Sequence, residues 1–167
     1  MRIRMLALAA ALILGYVSLL AVIARPAHPQ QAGHKTSAEA QIKELLAAQA
    51  DAWNRGDVDS FMTSYWKSDQ TVFVGATGIA RGWQAVLERY HRVYPNRTAM
   101  GHVTFSNIEV HQECADTAFV IGEYHLQREK DSPSGVFTLD LRKTPEGWRI
   151  VLDHTTAFPP AQPAKAQ

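Results

Sequence analysis

The chain has only one cysteine, Cys114, so it cannot form an internal disulfide bond. This residue lies in the stretch Glu113-Cys114-Ala115-Asp116, which is typical of a hairpin turn. A reactive thiol needs an activating base nearby, and we therefore interpret Cys114 as inert.

An excess of charge of either sign is also missing. The chain has 17 basic and 16 acidic residues, a net charge of +1, and no long basic stripe. A nucleic-acid partner is therefore not expected, because such binding depends on many positive charges that neutralise phosphates. The hydrophobic content of 46% and charged content of 20% are those of a folded soluble domain rather than a disordered chain.

Several motifs of enzyme active sites are absent. The seven histidines show no close ligand spacing such as His-x-x-x-His, so we expect no metal site and no cofactor. The run Gly75 to Gly78 is too short and badly placed for a phosphate-binding loop, and no Gly-x-Ser-x-Gly nucleophile motif occurs. No internal repeat is visible.

One long apolar run is present, at the amino terminus. Arg2 and Arg4 precede twenty mostly apolar residues, 5–24. Residues 1–24 fit either a secretory signal peptide or an uncleaved membrane anchor, since the run is longer than the usual signal core of about 7–15 residues. Residues 25–35 form a polar linker that contains two prolines. We therefore expect an exported domain, periplasmic or secreted, released or tethered to the inner membrane by residues 5–24.

The remaining sequence predicts one domain over residues 36–158 and a disordered tail over 159–167. Three segments have the helical spacing of apolar residues. The first begins at Thr36 or Ser37 and ends at Gly56, the second is a short helix capped by Asp57, and the third runs from about Gly82 to Tyr94. The face of the first helix that would be buried holds Ile42, Leu45, Leu46, Gln49 and Trp53.

Five segments are predicted to be strands, namely 70–75, Val103 to His111, Thr117 to Arg128, Val136 to Arg142 and Trp148 to Ala157. This order predicts an α+β fold with a cone-shaped, curved antiparallel sheet wrapped around the long first helix and three helices on the concave side. The alternation of apolar residues slips between Phe105 and Ile108, which predicts a β-bulge near Ser106-Asn107. Such a cone leaves one end open, where a pocket is expected.

The last strand carries the strongest indication of a site. Trp148, Ile150 and Leu152 alternate, and the same period places His154 on their core-facing side, with Asp153 on the opposite side. An ionisable ring in the core either finds a hydrogen-bond partner or lines a cavity, and both interpretations stay open for His154. The pattern alone would put Asp153 beside Arg149, as an ion pair.

Other side chains are candidates for the pocket because they combine an apolar body with a polar group, or because a side-chain amide buried in the core needs a hydrogen-bond partner. The alternative for the aromatic ones is a purely structural place in the core. Glu123 and His125 share one strand face and are either a pocket acid–base pair or part of a dimer surface. The predicted pocket residues are Gln49, Trp53, Tyr65, Trp83, Tyr90, Tyr124 and His125.

These residues also resemble those of a known family. The run from Ala52 to Asp57, the glycine Gly82, and the stretch from Gly147 through Thr155 are similar to the SnoaL-like group. That group belongs to the superfamily of ketosteroid isomerase, scytalone dehydratase and nuclear transport factor two, and the resemblance covers roughly residues 37–158. The end of the chain is also similar to the association domain of calmodulin-dependent kinase, which implies that Asp153 faces the cavity.

The resemblance implies a fold more firmly than an activity, because this fold hosts isomerases, dehydratases, hydrolases and binding proteins. Three hypotheses follow. The first is an exported domain that binds a small apolar molecule. The second is an acid–base isomerase or dehydratase of a cyclic carbonyl or polyketide-like substrate, with Asp153, His154 and a tyrosine as catalytic residues. The third is a dimerisation module, and a homodimer is expected in any case.

Overall fold

The structure is a computed structural model that describes residues 37–159. The predicted signal peptide or anchor at 1–24, the linker at 25–35 and the tail from residue 160 onwards lie outside the described residues. The helices, the strands and the cavity between them all lie within residues 37–159.

The predicted α+β fold is confirmed, with a curved six-stranded sheet and helices packed on it. The elements in chain order are α1 (Ala38–Asn54), α2 (Val58–Met62), β1 (Val72–Gly75), β2 (Gly78–Arg81), α3 (Trp83–Val93), α4 (Arg97–Met100), β3 (His102–Gln112), β4 (Thr117–Gln127), β5 (Ser134–Thr144) and β6 (Gly147–Ala157). The strands lie in the sheet in the order β2-β1-β6-β5-β4-β3.

Three details differ from the prediction. The sheet is not wholly antiparallel, because β1 pairs with β6 in parallel. Strand β2 and helix α4 were not predicted, and each has only four residues, too few for a recognisable period. Helix α4 begins where the Asn96 side chain accepts the amide hydrogen of Ala99 at 2.9 Å, so its stability depends on a cap rather than on an apolar face.

Helix α1 begins at Ser37, whose hydroxyl oxygen accepts the Ala40 amide hydrogen at 3.1 Å. Ile42 and Leu46 are fully buried. At its other end the helix is tied to the start of β3, because the Asn54 side chain accepts from the Val103 amide at 2.7 Å and donates to the Val103 carbonyl at 3.0 Å. These bonds hold α1 against the sheet and fix one wall of the space between them.

Two β-bulges alter the sheet. The bulge predicted near Ser106-Asn107 is confirmed by a register shift between Ser106 and Glu109, and Asn107 has a positive φ of 50°. The second bulge is in β6, where Ile150 pairs with Leu141 and Leu152 with Asp140, so that Val151 is an extra residue. It advances the alternation of buried and exposed positions by one residue in the last half of β6.

The second bulge overturns the prediction for the end of β6. Ile150 and Asp153 are buried, whereas His154 is exposed. The prediction that His154 lies on the core-facing side is therefore wrong, because it assumed an unbroken period of two through Val151 and Leu152. The carboxylate, not the imidazole, faces the interior.

Candidate functional site

A cavity of about 290 Å³ lies between the helices and the inner face of the sheet. Its walls are largely aromatic, and its polar lining comes from α1, α3, β4, β6 and the segments that follow α2 and β4. Such a volume is at the lower end of the range of small-molecule sites, about 300–1,000 Å³. The aromatic and apolar walls include Trp53, Phe61, Phe73, Tyr94, Phe105 and Phe137.

Asp153 is the centre of a buried hydrogen-bond network at this cavity. It is 5% exposed, and its Oδ2 accepts from the Tyr65 hydroxyl at 2.5 Å. The other oxygen, Oδ1, accepts from the Thr155 hydroxyl at 2.7 Å. The Tyr65 and Tyr90 hydroxyl oxygens are 3.2 Å apart, and since the Tyr65 proton points to Asp153, Tyr90 is the donor in this contact.

Local strand pairing positions Tyr65. The segment after α2 pairs with β6, because the Ile150 amide donates to the Ser64 carbonyl at 2.9 Å and the Trp66 amide donates to the Ile150 carbonyl at 2.9 Å. Asp153 is delivered to the same region by the bulge in β6. The Tyr65–Asp153 contact therefore depends on residues 88 positions apart in the chain.

Burial disfavours the charged form of every acid in this network. It raises the pKa of Asp153, although hydrogen bonds from Tyr65 and Thr155 and the nearby positive charge of Arg89 act against the increase. Burial, followed by the charge of Asp153, raises the pKa of Tyr65 well above 10.0, and the same two causes act on Tyr90. Both tyrosines are therefore neutral donors at physiological pH.

The network can change direction with the protonation of Asp153. When the carboxyl is ionised, Tyr90 donates to Tyr65 and Tyr65 donates to Asp153. When the carboxyl is protonated, it can donate to Tyr65, which leaves Tyr65 free to donate to Tyr90 and Tyr90 free to donate to a molecule in the cavity. The site can thus offer a hydrogen-bond donor or hold a proton.

Gln49 contributes a further polar group from α1. Its side chain is 4% exposed and lines the cavity, and its Nε2 has no hydrogen-bond partner among the described residues. A buried donor without a partner lowers the free energy of unfolding by about 1–3 kcal/mol, so packing alone does not account for an amide at this position.

Arg89 of α3 also lines the cavity and is half-buried. Its guanidinium carbon lies 4.0 Å from the centroid of the Phe73 ring and 5.7 Å from that of Tyr90. Room for this stacking comes from Gly75, because a Cβ there would lie 2.6 Å from the Phe73 ring.

Six of the predicted site residues are brought together at the cavity, namely Gln49, Trp53, Tyr65, Tyr90, Tyr124 and Asp153. Trp83, His125 and His154 do not line it. The Trp83 indole instead donates to the Met62 carbonyl at 3.1 Å and ties α3 to α2. His125 is exposed on the outer face of β4, beside Leu126 of the inner face.

The expected ion pair of Asp153 with Arg149 does not form, because the bulge turns the two residues to opposite sides of β6. Arg149 donates to the Trp148 carbonyl instead, at 2.7 Å. The alternative that places His125 at a dimer surface, and the expected homodimer itself, stay predictions.

Arg89 and Phe73 are the main site residues that sequence reasoning missed. A signal for Arg89 exists, because Val86, Arg89, Tyr90 and Val93 have the spacing i, i+3, i+4, i+7 of one helix face. A charged residue in such a stripe indicates either that the charged end of its side chain reaches the surface or that it faces a cavity. Phe73 had no comparable signal, since its strand is short.

Within residues 37–159, no group of three or more histidine, cysteine, aspartate or glutamate side chains is arranged to hold a metal ion. The helices in this part of the chain are also too short or too polar to cross a membrane.

Comparisons with known proteins agree with this architecture. A family model described as "SnoaL-like domain" matches residues 42–159. An NTF-2 like protein of unknown function from Shewanella oneidensis MR-1 is 37% identical, with a TM-score of 0.66, over 70% of this chain and 96% of that one. No curated protein matches the chain.

Two further solved structures share the fold at lower identity. A ketosteroid isomerase-like protein from Erwinia carotovora atroseptica SCRI1043 is 24% identical, with a TM-score of 0.60, over 72% of this chain and 96% of that one. An NTF2-like superfamily protein from Salmonella enterica serovar Typhimurium LT2 is 19% identical, with a TM-score of 0.60, over 78% and 97%. The family match, the Shewanella relative and the curved sheet together show that this chain belongs to the SnoaL-like family of the NTF2-like superfamily.

Proposed function

We propose that the domain binds a small, mainly apolar molecule that carries a hydrogen-bond acceptor, and that the molecule occupies the cavity of about 290 Å³. The observation that carries the proposal is the unpartnered Nε2 of Gln49 in an otherwise aromatic wall. A bound acceptor would satisfy this donor, and aromatic walls supply most of the affinity through apolar burial.

The aromatic side chains support the proposal because they are held rigidly. Trp53 packs edge-on against Phe61 at 5.1 Å and against Tyr94 at 4.6 Å between ring centroids, and Phe105 packs against Phe137 at 5.3 Å. Rings fixed by one another lose little conformational entropy when a ligand binds. The cavity is therefore preformed rather than made by the ligand.

The Gln49→Leu variant tests the proposal through opposite effects on stability and binding. Removal of an unpartnered buried amide should raise the free energy of unfolding by about 1 kcal/mol in urea denaturation. Affinity for 2-acetylnaphthalene, whose ketone oxygen accepts a hydrogen bond, should fall roughly tenfold by isothermal titration calorimetry, because the donor is lost.

The matched control is 2-ethylnaphthalene, which has nearly the same shape and no acceptor. Its affinity should be weaker than that of the ketone in the unmodified protein and unchanged in Gln49→Leu. Failure of both naphthalenes to bind the unmodified protein would contradict the proposal. Equal loss of affinity for both compounds would mean that Gln49 only shapes the cavity.

A second candidate function is acid–base catalysis at Asp153, and the observation that favours it is the buried carboxyl of raised pKa bonded to Tyr65. An ionised Asp153 could remove a proton next to a carbonyl group, while a tyrosine hydroxyl stabilises the negative oxygen that forms. His154, the other predicted catalytic residue, is exposed and takes no part in this proposal.

Exchange of the ligand's hydrogens for deuterium distinguishes catalysis from binding alone. Incubation of 2-acetylnaphthalene with the protein in D2O should replace the methyl hydrogens by deuterium, as followed by NMR, faster than in buffer. The Asp153→Asn variant should not accelerate the exchange. Equal exchange with and without protein would leave the domain a binding protein.

We also propose that the domain acts outside the cytoplasm, on the basis of Arg2, Arg4 and the apolar residues 5–24. A fusion of residues 1–35 to alkaline phosphatase, which is active only after export, tests this directly. An inactive fusion that is produced in full would contradict export.

A further inference from the structure

We propose that the ligand of this cavity is a carboxylate on an apolar, ring-sized body, and that Arg89 binds its negative charge. The inference rests on the proposed ligand-binding function and adds the charge of the ligand.

The first observation is that Arg89 has no direct ion-pair partner among residues 37–159, although its charge acts on the more distant carboxyl of Asp153. Its guanidinium lies over the rings of Phe73 and Tyr90, with the guanidinium carbon at 4.0 and 5.7 Å from their centroids. Within residues 37–159, no carboxylate oxygen lies within 4.0 Å of it, and it donates no hydrogen bond. A half-buried guanidinium that donates no hydrogen bond to residues 37–159 has its N–H groups available to a molecule in the cavity.

Arg128 provides an internal comparison, because it is the other arginine at the cavity. Its Nε and Nη2 donate to the two carboxylate oxygens of Asp131 at 2.6 and 2.7 Å. Arg128 therefore has a direct ion-pair partner, whereas Arg89 has none within 4.0 Å among residues 37–159. The difference leaves the guanidinium on α3 available to an anion in the cavity.

The second observation concerns the other polar groups of the wall. The Gln49 Nε2 is a buried donor without a partner, while both oxygens of Asp153 already accept hydrogen bonds from Tyr65 and Thr155. The groups that need a partner are thus donors, one of them charged. A carboxylate supplies two acceptor oxygens in the planar geometry that a guanidinium binds best.

The third observation is that Arg89 is held in place for this role. A Cβ on Gly75 would lie 2.6 Å from the Phe73 ring and 3.6 Å from Arg89 Nη2. The absence of a side chain at Gly75 therefore lets the ring and the guanidinium stack at the edge of the cavity. Stacking leaves the N–H edge of the guanidinium available, because the ring occupies only its face.

The experiment compares 2-naphthoate with naphthalene-2-carboxamide, which has the same size but no charge. In the unmodified protein, titration calorimetry at neutral pH should give at least tenfold tighter binding of 2-naphthoate. In Arg89→Gln, the affinity for 2-naphthoate should fall at least tenfold while that for the carboxamide stays within twofold. Arg89→Lys, which keeps the charge, should retain an intermediate affinity for 2-naphthoate.

Arg92→Gln is the matched control, because Arg92 is on the same helix, is exposed and does not line the cavity. It makes the same change in net charge and should leave both affinities unchanged. Carboxamide binding by Arg89→Gln shows that the cavity is intact. Equal affinity of the two compounds for the unmodified protein, or unchanged 2-naphthoate binding by Arg89→Gln, would overturn the assignment of Arg89. If neither compound binds the unmodified protein, the ligand-binding function itself is wrong.

Discussion

Replacement of Ile150 by alanine is expected to lower the free energy of unfolding by about 2–5 kcal/mol, measured by urea denaturation. Ile150 is fully buried in β6, and its backbone bonds both to Ser64 and to Trp66 at 2.9 Å. Removal of its side chain leaves a void at the point where β6 meets the segment that carries Tyr65. The surrounding backbone is held on both sides, so it cannot collapse to fill the void.

The neighbouring residue provides the control. Val151 is the extra residue of the bulge and is only half-buried, so Val151→Ala should cost less than about 1 kcal/mol. In a regular strand the side chains of Ile150 and Val151 would also point to opposite sides, but Asp153 would then point outward. Equal losses for the two variants would contradict the packing of β6 described above.

Asp153→Ala is the second change with a large expected effect. The Tyr65 and Thr155 hydroxyls would lose their acceptor, and we expect the free energy of unfolding at neutral pH to fall by about 1–3 kcal/mol. Asp153→Asn keeps one oxygen acceptor for Tyr65 and removes the buried charge. It should therefore be more stable at neutral pH than the alanine variant.

Comparison with Asp153→Asn also reveals how the Asp153 carboxyl makes the free energy of unfolding depend on pH. Burial raises the pKa of Asp153 in the folded protein above its ordinary value of 3.8, so the folded state holds the proton more tightly than the unfolded state. Between 3.8 and the raised value, acidification stabilises the folded protein. This contribution is complete below 3.8 and is lost as the pH rises through the folded-state pKa.

Chemical denaturation from pH 4 to 8 measures this effect as a difference between two proteins. The unmodified protein should gain stability relative to Asp153→Asn as the pH falls, because the variant has no carboxyl at this position. The subtraction cancels the contributions of Glu39, Asp57 and Glu146, whose pKa values are lowered and which act in the opposite direction. A constant difference over this range would mean that Asp153 has the same pKa in both states.

Part of the site could be predicted from local pattern because three of its residues lie on helices. Gln49 and Trp53 share one face of α1, and Tyr90 falls on the buried stripe of α3. Helical spacing places such residues without knowledge of the partner surface. The errors were Trp83, His125 and His154. An amphipathic residue that faces inward can bond to backbone rather than to a cavity, as Trp83 does, and strand residues depend on register.

The sequence alone determined the order of α1 to α3, β1 and β3 to β6, the bulge near Asn107 and the choice of family, since each depends on periodicity, turn residues and short motifs within a segment. The tertiary structure decided which ionisable group enters the core, because the single extra residue Val151 reverses the sides of Asp153 and His154. It also decided that no carboxylate of residues 37–159 lies within 4.0 Å of the Arg89 guanidinium. Pairing across strands and contacts between distant segments set both results, and neither is encoded in the period of any one strand or helix.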